Sequence, residues 1–103
     1  MANKNKLTIR FKKWDCVLSY GQYGNGRTAV QLIGANDGYP VCTATVNFPN
    51  EELPKDADYE YVLIKDYSEN EGILEVLVSY GVVSKPVYYT TDNIPVCKLL
   101  ITK

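Results

Sequence analysis

Residues 66–83 read Asp66-Tyr67-Ser68-Glu69-Asn70-Glu71-Gly72-Ile73-Leu74-Glu75-Val76-Leu77-Val78-Ser79-Tyr80-Gly81-Val82-Val83, and the fold class turns on them. They spell a single helix, expected over about residues 69–80. Ser68 followed three residues later by Glu71 predicts a capping box, the hydroxyl accepting from the Glu71 N–H and the carboxylate reaching back to the Ser68 N–H. Ile73, Leu74, Val76, Leu77, Val78 and Tyr80 leave only Glu71, Glu75 and Ser79 as a polar stripe. So narrow a stripe implies that most of the helix circumference is covered. Gly81 is placed to take the left-handed C′ position, with Val82 at C″ touching Leu77. Gly72, just inside the helix, suggests a neighbouring group approaching closely there.

Outward from this helix everything reads as strand. Leu7, Ile9 and Phe11 alternate with Thr8, Arg10 and Lys12, the period of a strand with one wet face. A break at Lys12–Lys13 leads into a second strand over Trp14–Tyr20, and Gly24-Asn25-Gly26 is a tight turn before a third over Arg27–Ile33. Asp37-Gly38 marks the next hairpin, and Tyr39–Asn47 is expected as the fourth strand. The proline-bracketed loop that follows suggests one helical turn at Asn50–Leu53. Tyr59–Lys65, Pro86–Tyr89 and Pro95–Ile101 are the remaining strands, the last two opening on proline as strand starts or edges do. The expected architecture is α+β, an antiparallel β-meander packed against a single helix, with residues 1–103 forming one domain.

Composition excludes several functional classes. The chain has no histidine, which removes Ser–His and Cys–His dyads, the usual general base near neutral pH and most zinc sites. No catalytic residue, metal ligand or cofactor motif emerges, and the expectation is a protein that is not an enzyme. Asp66, Ser68 and Asn70 imitate the opening of a calcium loop, but Glu71 stands where glycine is needed and Leu77 where glutamate is. Cys16, Cys42 and Cys97 are odd in number and widely spaced, which suits buried thiols in a reducing compartment. With no apolar leader after Met1 and no long apolar run, a cytoplasmic protein without a membrane span is expected.

Net charge is −1, yet the charge is polarised. Lys4, Lys6, Arg10, Lys12 and Lys13 precede any acid, whereas Glu51, Glu52, Asp56, Asp58, Glu60, Asp66, Glu69, Glu71 and Glu75 face only Lys55 and Lys65. Such asymmetry suits head-to-tail self-association or a charged partner, and equally two solvated faces. Nine tyrosines against two phenylalanines suit half-wet strand surfaces and interfaces. Basic residues of the first strand, with Tyr20 and Tyr23, could contact nucleic acid, but no recognised motif supports it.

The Thr45-Val46-Asn47-Phe48-Pro49 strand end, the Glu-Glu-Leu-Pro after it, the Lys65-Asp66-Tyr67-Ser68-Glu69-Asn70-Glu71-Gly72 helix start and the Gly81-Val82-Val83 helix end resemble a family of small uncharacterised bacterial proteins. That family is similar to proteins encoded by phages and integrated mobile elements, and it carries no established activity. The resemblance spans roughly residues 14–100 and implies a mobile-element origin. Together with the acidic half and the tyrosines, it leads to an expected non-enzymatic interaction protein that inhibits a host protein, foremost one of host defence, by covering its surface. Tyr67, Glu69 and Asn70, projecting from the helix start, are the expected partner-binding residues, and the thinly polar helix suggests a homo-oligomer. The alternative is a module that sequesters a nucleotide or other anion through Arg27, the Gly24–Gly26 turn and Tyr23.

Overall fold

Three tight turns organise the first half of the chain. The structure, a computed structural model, describes residues 7–101; Lys4 and Lys6 of the basic segment lie outside them. Strands β1 (Thr8–Phe11), β2 (Trp14–Gln22), β3 (Thr28–Gly34) and β4 (Pro40–Thr43) form an antiparallel sheet in sequential order. Lys12 turns the first hairpin with φ of 55°, and Phe11 pairs with Trp14 across it. At the second, the Tyr23 N–H donates to the Arg27 carbonyl and the Gly26 N–H to that of Tyr23. At the third, Asp37 Oδ1 accepts the Tyr39 N–H at 3.0 Å, the local bond that makes aspartate a turn residue.

The expected fourth strand over Tyr39–Asn47 stops at Thr43, because residues 44–46 are shared with a second sheet. The Ala44 N–H still donates to the Val30 carbonyl at 2.7 Å, while the Ala44 carbonyl accepts the Lys65 N–H at 2.8 Å. Val46 then donates to Leu63, and Thr45 bridges Ile64. The Thr45 hydroxyl completes the joint: it accepts the Val30 N–H at 3.1 Å and lies 2.9 Å from the Tyr23 hydroxyl. Strands β5 (Glu60–Leu63), β6 (Tyr88–Tyr89) and β7 (Pro95–Leu99) make that second sheet, antiparallel and in the order β5-β7-β6. The α+β class, the meander and the single helix are therefore as expected, with the later strands forming a sheet of their own. The helical turn expected at Asn50–Leu53 is absent. One turn closes from the Glu51 N–H to the Phe48 carbonyl, and Arg27 draws the carbonyls of Phe48 and Glu51 to its guanidinium instead.

The helix α1 spans Ile73–Ser79, shorter at its start than residues 69–80 suggested. Ser68–Asn70 forms a separate 3-10 turn, and Glu71 breaks away with ψ of 129°. The capping box does not form, since Ser68 lies within the 3-10 turn and the N-cap position of α1 falls to Gly72. The cap comes from further upstream: Asp66 Oδ1 accepts the N–H groups of both Gly72 and Leu74 at 3.0 Å. Gly72 is the N-cap residue with φ of 95°, and a Cβ added there would meet nothing within 4 Å. Backbone conformation, and not the close neighbour expected from sequence, is what requires glycine here. The far end is as expected. Gly81 has φ of 75°, its N–H donates to Val78 and the Val82 N–H to Leu77, the paired bonds of a Schellman cap.

Ile73 and Leu77 are fully buried, while Leu74, Val76 and Val78 are half-buried. One main core joins both sheets to the helix through Ile9, Phe11, Leu32, Ile64, Leu77 and Val82. A smaller cluster of Leu63, Ile94 and Val96 covers the other face of the second sheet. Leu77→Ala is expected to cost about 2–5 kcal/mol in urea unfolding, as truncation of a buried leucine does. Asp66→Ala should cost about 1 kcal/mol through the lost cap, whereas Ser68→Ala should leave the midpoint almost unmoved. The reverse order of those two variants would restore the capping box and refute the Asp66 cap.

Candidate functional site

Two concavities compete for a functional reading, and what their polar groups already bind separates them. The larger, about 620 Å³, is lined by Arg27, Leu53, Lys55, Tyr59 and Tyr61 with Glu52, Asp56 and Glu60. Arg27, Asp56, Glu60 and Tyr61 of its lining are engaged within the chain. Arg27 donates to the Phe48 and Glu51 carbonyls. Glu60 receives the Thr28 hydroxyl at 2.7 Å and the Thr28 N–H at 2.9 Å, tying β3 to β5. Asp56 accepts the Asp58 N–H and the Tyr61 hydroxyl, and the Lys98 ammonium lies 5.0 Å from the Tyr59 ring. Three carboxylates against two cations oppose a phosphate there. Arg27 is thus a loop clamp, and Tyr23, whose hydroxyl meets Thr45, does not line this cleft. Arg27 and Tyr23 meet through the backbone of their turn, with the guanidinium on the Phe48 and Glu51 carbonyls and the Tyr23 hydroxyl on Thr45.

The second concavity is a notch of about 400 Å³ between the helix start and the β6–β7 turn. It is lined by Tyr67 and Tyr89, by Asp66, Asp92 and Asn93, and by Ile94 and Pro95. Ile94 and Pro95 are buried and give it an apolar base, while Tyr67 is 38% and Tyr89 54% exposed. The strand pairing builds it: β5 pairs with β7, and the Ile64 N–H donates to the Pro95 carbonyl at 3.0 Å. Residues 66–67 are thereby set beside residues 92–95. The turn is itself rigid, with the Thr90 hydroxyl accepting the N–H groups of Asp92 and Ile94 at 3.2 Å and Asn93 at φ of 64°. Among the described residues neither Asp66 nor Asp92 forms an ion pair; the pairs present are Arg10–Asp15 and Lys65–Glu69. Phe48, Glu51 and Asp92 border a smaller hollow that shares Asp92 with the notch and extends the acidic and aromatic surface.

The three residues expected to project from the helix start separate in the structure. Tyr67 is exposed and walls the notch. Glu69 is exposed but is held by Lys65, whose ammonium lies 2.7 Å from its carboxylate, and its carbonyl accepts Lys12 at 2.8 Å. The Lys65–Glu69 hydrogen bond keeps the Glu69 carboxyl below the ordinary glutamate range and pushes the Lys65 ammonium up. Asn70 is a correction: it is fully buried, donating through Nδ2 to the Thr43 carbonyl, and its Oδ1 has no protein partner. It pins the 3-10 turn to the end of β4 and is unavailable to a partner. Tyr89, Asp92 and Asn93 escaped the sequence reading. The signal present was the Tyr-Tyr pair and the Thr-Thr-Asp-Asn turn, but their place beside Tyr67 depends on pairing across some thirty residues.

Among the described residues no three His, Cys, Asp or Glu side chains converge as metal ligands, and no helix is long and apolar enough to cross a membrane. No protein-family model, curated protein or solved structure matches the chain.

All three cysteines are free thiols. Burial raises the Cys97 pKa to about 12 and that of Cys42 to about 11, and pushes Cys16 up as well. Because the thiolate is the reactive form, each is muted at neutral pH. A disulfide reagent at pH 8 is expected to leave Cys16 and Cys97 unmodified in the folded protein, with half-buried Cys42 the first to react. All three should titrate rapidly once guanidinium unfolds the chain. Fast labelling of Cys97 under native conditions would contradict the burial described.

Proposed function

We propose that the protein works by binding another protein, as an interaction protein of phage or mobile-element type, and that the surface around Tyr67, Tyr89 and Asp92 makes the contact. The observation that carries this reading is the notch itself: exposed tyrosines flank carboxylates that have no ion-pair partner among the described residues. Tyrosine is enriched at interfaces because its ring supplies contact area while its hydroxyl stays wet. Carboxylates without an internal ion-pair partner favour a basic surface opposite and speed the encounter with it. The resemblance of the Lys65–Gly72 stretch to mobile-element proteins suggests a host protein as the target, a component of host defence first, inhibited by occlusion in the cytoplasm. No step of this action requires the chain to catalyse a reaction or to hold a cofactor. Self-association through the half-buried Leu74, Val76 and Val78 of the helix belongs to the same proposal.

Sequestration of a nucleotide through Arg27 draws less support, since its guanidinium is engaged by two carbonyls. Native mass spectrometry of the protein isolated from bacterial cells distinguishes the readings. The expected result is a host protein retained by the wild type and lost from Tyr89→Ala, whose melting temperature stays within a few degrees, as for most surface changes. The same spectra report whether the 11.6 kDa chain flies as a monomer or an oligomer. A retained nucleotide with no protein partner would overturn the proposal in favour of sequestration.

A further inference from the structure

The chemistry of the notch narrows what fits it. Its base is apolar, from Ile94 and Pro95, and its walls are the rings of Tyr67 and Tyr89. Its acceptors are the Asp92 carboxylate and the part of the Asp66 carboxylate not engaged by the Gly72 and Leu74 N–H groups. A phosphate or carboxylate is repelled by this set. An apolar side chain would cover the Asp92 carboxylate and the unengaged part of Asp66 without answering either, which is costly. A flat cation answers every group at once.

We propose that the notch is the receptor for one arginine side chain of the partner, its guanidinium against the tyrosine rings and its N–H groups on Asp66 and Asp92. The assignment rests on the binding role proposed above. Arginine fits better than lysine for three reasons. Its planar head stacks on an aromatic ring while its edge still donates. Its fork of N–H groups can serve two carboxylates together, whereas an ammonium is a point charge. It is also more weakly hydrated, so an apolar base costs it less. The molecule already shows that the tyrosine faces of this half draw cations: the Lys65 ammonium lies 5.8 Å from the Tyr67 ring, and Lys98 stands 5.0 Å from that of Tyr59. Lys65 is itself held by Glu69, outside the notch lining.

The test uses the full chain, labelled with nitrogen-15, and two capped tripeptides, one with arginine between glycines and one with its neutral isostere citrulline. Arginine should bind weakly, with a Kd on the order of millimolar for so small a ligand. Its amide shifts should be confined to residues 66–67 and 89–95. Citrulline should bind roughly tenfold more weakly, the loss expected for hydrogen bonds to charged groups. Asp92→Asn should weaken arginine by a similar factor and leave citrulline unchanged. Asp92 is exposed and takes no part in the helix cap, so this variant is expected to fold. Equal binding of the two peptides, or shifts centred on another surface, would overturn the assignment. If Tyr89→Ala abolishes capture of the host protein while the arginine peptide fails to bind, the interaction surface stands and the arginine receptor falls. If the peptide binds at the notch but no partner is retained, the receptor stands and the occlusion reading falls.

Discussion

The run Ile64–Asp66 is the constraint on which the structure depends. Ile64 is fully buried, bridges Thr45 of the crossing segment, and donates its N–H to Pro95. Lys65 donates to Ala44, so the chain here is bonded on both sides. Asp66 then turns its carboxylate onto the first N–H groups of the helix. Three consecutive residues therefore join the two sheets, align the β6–β7 turn and start α1. The Ile64 N–H would otherwise be buried without a partner, and an orphaned buried amide costs about as much as a lost hydrogen bond. The notch follows from the same run, because Asp66 and Tyr67 emerge from it directly beside the chain leading into Pro95.

Much of this architecture was legible because its signals are local. The period of Leu7–Phe11, the Asp37-Gly38 turn and the Gly81 cap are each decided within a few residues, and each formed where its chemistry placed it. The helix start misled because two residues competed for one duty. Ser68 has the right spacing to Glu71, but Asp66 brings a charged acceptor and Gly72 a left-handed φ, and the carboxylate prevails. The end of β4 misled for a different reason. Alternation continues from Val41 to Val46, yet the strand changes partner at Ala44, and hydrophobic period carries no record of which neighbour a strand bonds. Asn70 likewise looks like a polar residue at a helix tip; only the fold reveals the Thr43 carbonyl waiting beneath it.

The candidate site shows the same limit. Tyr67 was recognisable as a tyrosine with no structural duty, but its neighbours in space come from the β6–β7 turn. Cleft size alone points elsewhere, to the hollow around Arg27, Tyr59 and Tyr61, where the Arg27 guanidinium, the Glu60 carboxylate and the Tyr61 hydroxyl are tied to groups of the chain itself. A surface whose polar groups are already answered is scaffold. The Asp66 carboxylate belongs to both categories: one oxygen holds the helix, and the group as a whole helps line the notch. Stability and recognition meet in one side chain, so substitutions at Asp92 and Tyr89 separate the two roles more cleanly than any at Asp66.

Native-state hydrogen exchange of the Ile64 and Lys65 amides tests the central claim most directly, that this run makes the two sheets one cooperative unit supporting the notch. Both N–H groups are bonded across the joint, so they should open only with global unfolding, at the same free energy as the Leu32 and Val62 amides on either side of it. Exchange of Ile64, Lys65 and the β5–β7 ladder at a distinctly lower free energy than the first sheet would contradict the account. The second sheet would then unfold on its own, and the notch with it.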